Sequence, residues 1–217
     1  MTGASPHWLG WRFWLAGPCE VDGVTRPVLA SPIDTRAYHG HVYPEQELWL
    51  TASPRTAICR ATTHTAPAPA CQCGYRIVRR LADVVRYARD YGSAHTGPPS
   101  ANPGEPAFVR MLRRLNDRRV APYATWVAFG AVEGTGRAFG GVDDAPDTVR
   151  VERIRLVGPL LLSPTIADYA REFERYYPVT AYPGRGDYQQ WLDGISISRR
   201  PKIADPDDWP DATTTGC

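Results

Sequence analysis

The chain has 217 residues and a mass of 24.0 kDa, with 43% hydrophobic and 22% charged residues, a globular composition long enough to bury a core and unlike a disordered or collagenous chain. Nineteen glycines and 21 prolines exclude an all-helical bundle and predict many short elements joined by turns. The net charge of +2 gives no global case for nucleic acid, and Lys202 is the single lysine, beside Pro201, so Walker-type and Schiff-base lysine chemistry is excluded.

In chain order, Trp8–Leu15 alternates as a strand, with Trp11, Phe13 and Leu15 on one face, and Gly17-Pro18 is expected to break it. Short strands follow at Val21–Ala30 and Glu47–Ala52, separated by a loop holding His39 and His41. Ile77, Val78, Leu81, Val84, Val85 and Ala88 recur at helical spacing and predict a helix over 77–91. A long exposed loop is expected at 92–106, then a short amphipathic helix over 108–119. Strands are predicted at Tyr123–Val132 and Thr148–Leu156, joined as a wide antiparallel hairpin in which Gly134 and Gly136 read as hairpin glycines. A helix at Ile166–Tyr176 follows the cap Ser163-Pro164-Thr165. The order predicts an α+β fold: a mostly antiparallel sheet or small barrel with two to three packed helices, forming a single domain over 1–200 with a disordered tail at 201–217. Leu81, Val85, Leu112, Val127, Val151 and Leu156 are the expected core, and the tryptophans are expected to pack rather than to stack on bases.

Met1–Pro18 carries no cationic region followed by an apolar run of signal-peptide length, and Leu156–Leu162 is far too short to cross a bilayer, which predicts a soluble cytoplasmic protein without membrane contact. Five cysteines, an odd count, fit thiols or a metal better than a disulfide framework. Four candidate ligands, Cys59, His64, Cys71 and Cys73, fall close together and are followed by Gly74. Three thiolates and an imidazole form a closed set for structural zinc, and the Pro/Ala run 65–70 is expected to arch so that His64 returns toward Cys71 and Cys73. The alternatives are thiols without metal, a redox or iron-sulfur role, or a cysteine nucleophile paired with a distant histidine.

The string His64-Thr-Ala-Pro67 followed by Cys71-Gln-Cys73-Gly74 resembles the H-x-A-P and C-x-C-G segments of a group of uncharacterised actinobacterial proteins. Similarity continues through Val127–Val132, Gly136-Arg137-Ala138, Arg153-Ile154 and Gly158-Pro159-Leu160, with 92–116 as an insertion in this chain. The resemblance implies that the Cys/His cluster is one unit and implies no activity.

Arg110, Arg113, Arg114, Arg118 and Arg119 crowd the predicted helix at 108–119, and Arg150, Arg153 and Arg155 the strand beyond, so a basic face is expected to contact DNA or RNA phosphates. Of these, Arg110, Arg113, Arg114, Arg118, Arg153 and Arg155 are the candidate contacts. Asp143-Asp144 reads as solvated turn chemistry. No G-x-S-x-G, H-E-x-x-H or dinucleotide fingerprint is present. The leading expectation is a non-catalytic, zinc-stabilised binding module. The alternatives are a small enzyme using a cysteine or the His39/His41 loop, and a protein-interaction or assembly component.

Overall fold

The computed structural model describes residues 7–21, 23–32, 48–59, 64–69, 71, 73–94, 127–140, 144 and 147–198. The His39/His41 loop, the predicted helix at 108–119 with Leu112, Trp126, the tail at 201–217 and the 92–106 loop beyond residue 94 lie outside them.

Two long strands, β6 (Val127–Phe139) and β7 (Thr148–Leu162), form the antiparallel hairpin expected from their apolar alternation, paired from Ala128 opposite Leu162 to Phe139 opposite Arg150 with register shifts between Gly130 and Val132 and between Thr135 and Ala138. On the far side of β6 lies β1 (Trp8–Val21), with Trp8 opposite Gly134 and Leu15 opposite Val127. β1 continues through Gly17-Pro18 instead of breaking there, because Pro18 faces Pro27 of β2 (Val24–Ala30). Neither residue has an N–H, so the two meet at a non-hydrogen-bonded pair and cost the ladder nothing. Residues 21–30 are therefore not one strand. The chain reverses between Val21 and Val24, with Gly23 at φ 74°, as the Asp-Gly dipeptide in the sequence favours.

β3 (Leu48–Trp49) adds to β2, while β4 (Arg55–Thr56), β5 (Tyr75–Val78) and β8 (Ala181–Pro183) pair with β7, and β8 alone runs parallel. This makes an eight-stranded, mostly antiparallel sheet. Its pairings return from β5 to β1 only through the single bridge between Trp11 and Val78, so the sheet curls without forming a clear barrel.

Helix α1 (Leu81–Ala94) starts later and ends later than its periodicity predicts. Ile77 and Val78 are apolar at helical spacing, yet they belong to β5, where they sit opposite Val149 and Thr148 and are buried. A tight 3₁₀ helix (Pro164–Tyr169) runs into α2 (Ala170–Tyr176), with Pro164 in its first turn. Ser163 makes no side-chain cap; its Oγ instead accepts the Val127 N–H at 3.4 Å, tying the helix start to β6. β8 and α3 (Tyr188–Ser198) were not expected from the sequence.

Both sheet faces are covered, so both are apolar. Trp8, Trp14, Val132, Leu160, Phe173 and Tyr177 belong to the core under the 3₁₀ helix and α2. Trp11, Phe129, Leu161, Val84, Val85 and Trp191 form the other core under α1 and α3. The two-residue period thus sends Trp14 and Trp11 to opposite cores. Val85, Val127, Val151 and Leu156 are buried as expected, whereas Leu81 is half-buried at the edge of the second core. Gly134 and Gly136 lie inside β6, not in a hairpin turn: a Cβ on Gly134 would meet Ile77 Cδ1 at 2.5 Å, and Gly136 takes φ +82° at the register shift between Thr135 and Ala138. No helix among the described residues is long and apolar enough to cross a membrane.

Candidate metal centre

One edge of β7 determines how the Cys/His segment is held. Arg55 and Thr56 of β4 sit opposite Ile154 and Arg153, the Ala57 N–H donates to the Glu152 carbonyl at 2.7 Å, and Tyr75 of β5 sits opposite Val151. The ladder along β7 therefore passes from Ala57 to Tyr75 without skipping a position, so these two residues form the neck of the 58–74 loop, of which 58–59, 64–69, 71, 73 and 74 are described. Cys59 lies two residues after Ala57 and Cys73 two residues before Tyr75. The cost of bringing these cysteines together is met by sheet pairing.

Within the loop the Pro/Ala run bends instead of arching. Residues 66 and 67 are bends, the Ala66–Pro67 peptide is cis, and the Cys71 N–H donates to the Ala68 carbonyl at 3.2 Å. The turn brings His64 back beside Cys73, with Nε2 3.2 Å from Sγ, and the Cys59 and Cys71 sulfurs stand 3.7 Å apart. All four ligand atoms lie within 4.8 Å of one another. A disulfide needs about 2.05 Å between sulfurs. Tetrahedral bonds of about 2.3 Å to sulfur and 2.0 Å to nitrogen instead place two sulfurs about 3.8 Å apart and a sulfur and nitrogen about 3.5 Å apart. The four residues are thus close enough to hold a metal ion.

Burial, then the hydrogen bond and charge of Cys71 and the charge of Cys59, push the Cys73 thiol up to about 11. Without a cation, three neighbouring thiols resist ionising together; a bound divalent ion reverses that balance.

Gly74 closes the loop at φ +109°, where a Cβ would meet Pro67 Cβ at 2.9 Å and Arg150 Cβ at 3.2 Å. Both the left-handed backbone and the close packing require glycine at this place. Arg150, expected on a basic surface, is instead 2% exposed beneath the loop. Its Nη1 donates to the Ala68, Cys71 and Cys73 carbonyls, the first at 3.2 Å and the last at 3.3 Å. Its Nε donates to Asp144 Oδ2 at 2.6 Å, and Arg76 Nε donates to Asp144 Oδ1 at 3.0 Å. Asp144 is therefore a buried ion-pair partner, not a solvated turn residue. Beside it, Arg137 donates from Nη2 to the Ala66 carbonyl at 3.0 Å and from its backbone N–H to Glu152 Oε2 at 3.1 Å. That N–H, together with the Arg137 guanidinium, holds the Glu152 carboxyl below the usual range against the opposing effect of burial. Sequence spacing gave no signal for Arg150, Asp144 or Arg137.

Of the remaining predicted contacts, Arg153 and Arg155 are described, two residues apart on one exposed face of β7. Arg153 is exposed next to β4, and Arg155 is exposed but engaged by Glu133, which also contacts His7 Nδ1 at 2.8 Å. Arg110, Arg113, Arg114, Arg118, His39 and His41 lie outside the described residues. No protein-family model, curated protein or solved structure matches the chain.

Proposed function

We propose that Cys59, His64, Cys71 and Cys73 bind one zinc ion as a structural staple, and that the chain is a non-catalytic binding module whose 58–74 loop the metal makes rigid. The observation that carries this reading is the convergence of three sulfurs and one imidazole nitrogen within 4.8 Å. Soft thiolates favour zinc over magnesium or calcium, and four protein ligands leave no open position for an attacking water. The ion would join both sides of the loop neck through Cys59 and Cys73, and the loop body through His64 and Cys71. Nucleic-acid contact has weaker support, because Arg150 is buried under the loop and Arg155 already faces Glu133.

The short His64–Cys73 distance favours a second reading, a cysteine nucleophile with its base. The elevated Cys73 thiol and the two further thiols beside it speak against that reading, since a nucleophilic cysteine needs an accessible thiolate.

Protein purified under reducing conditions should contain about one zinc per chain by elemental analysis, and cobalt substitution should give the visible bands of a tetrahedral thiolate site. Cys71→Ser and Cys73→Ser should lose metal and melt at lower temperature, while Cys19→Ser and Cys217→Ser should not. A fully folded, metal-free wild type overturns the reading.

A further inference from the structure

We infer that Arg150 is the positioning residue of the metal centre: one buried guanidinium holds the backbone on which the Cys71 and Cys73 thiols are mounted. This rests on the zinc reading above. Two observations carry it.

The first is where the contacts fall. Nη1 of Arg150 meets the carbonyls of Ala68, Cys71 and Cys73, which bracket two of the four ligands. The carbonyl of a residue and its Cα–Cβ bond share one tetrahedral carbon, so fixing the carbonyls of Cys71 and Cys73 restricts where their sulfurs can point. The second is rigidity. The Arg150 side chain is 3% exposed, and its Nε is held by Asp144, itself 4% exposed and held again by Arg76. The guanidinium therefore reaches the loop from a fixed place in β7, on the same strand that closes the loop neck. Outer partners of this kind orient metal ligands and tune their basicity.

The test is zinc affinity, measured on reduced full-length protein by competition with a chromophoric chelator, together with the visible spectrum of the cobalt form. Arg150→Ala should weaken zinc binding by about 10- to 100-fold and alter the cobalt bands. Arg150→Lys keeps the charge but cannot span the carbonyls and Asp144 together, so its loss should be intermediate; it also carries the test if the alanine variant does not fold. Arg137→Ala, which frees the Ala66 carbonyl and the Glu152 carboxylate but no carbonyl of a candidate ligand, should change affinity far less than either. A residue that merely supports the fold would lower melting temperature while leaving the affinity of the folded fraction and the cobalt spectrum unchanged. That result, with zinc present in the wild type, overturns the inference alone. A folded wild type that binds no zinc overturns the zinc reading and the inference with it.

Discussion

Glu152 shows how a single charged residue couples the loop to the sheet. Its backbone carbonyl receives the Ala57 N–H at the loop neck, and its carboxylate receives the N–H and guanidinium of Arg137, which in turn holds the Ala66 carbonyl. Because those donors favour the charged carboxylate, its folded pKa lies below the unfolded value of about 4.3. The stabilisation is then fully present above that value and is lost as pH falls through the lower folded pKa. Glu152→Gln should therefore be less stable than wild type by about 1 kcal/mol near neutrality, and the gap should close in acid. Denaturant melts of both proteins at neutral and acid pH check this. A gap that is independent of pH would assign the effect to packing instead of charge.

The same scale explains which part of the centre was legible in the sequence. Cys59, His64, Cys71 and Cys73 are chemically unusual residues at close spacing, and Gly74 marks a required backbone conformation, so the ligand set could be read directly. Arg150 could not. Its partners are main-chain carbonyls, which every residue has, and an aspartate placed by tertiary structure, so it looked like any other arginine of an alternating strand.

At the scale of elements, periodicity located the long strands and the helix bodies but failed where two periods compete. Ile77 and Val78 fit the helical stripe of α1, yet the vacant edge of β7 takes them into β5, and the helix begins after Arg80. The phase of α1 survives, with Val84, Val85 and Ala88 buried, but Leu81 is left at the margin of its core. β8 and α3 escaped notice because Pro178, Pro183, Gly184 and Gly186 interrupt the pattern over that stretch. Burial now ranks the consequences. Phe173→Ala removes a fully buried ring of α2 that stacks near Tyr177, with centroids 5.8 Å apart, and should cost about 3–5 kcal/mol. Leu81→Ala should cost clearly less, about 1 kcal/mol, because its side chain is only partly buried at the margin of the second core. Equal losses in chemical denaturation would mean that the margin of the second core is packed more tightly than its exposure indicates.

At the scale of the molecule, two apolar cores and one polar loop divide the work of stability. The cores lie on opposite faces of the sheet, and none of the four ligands belongs to either. The loop neck is closed by β7, and its underside is held by Arg150 and Arg137. If the ion is a staple of the loop, stripping it with a strong chelator under reducing conditions should release residues 58–74 while β1, β6 and β7 remain folded. In hydrogen exchange, amides of that loop should lose protection, and those of Val127–Phe139 should keep theirs. Melting temperature should fall, because ligand bonds formed only in the folded protein add to its stability. Protection that collapses across both cores on chelation would make the metal a condition for folding the whole domain, and unchanged protection in the loop would show that Arg150, Arg137 and the β7 ladder suffice to hold it.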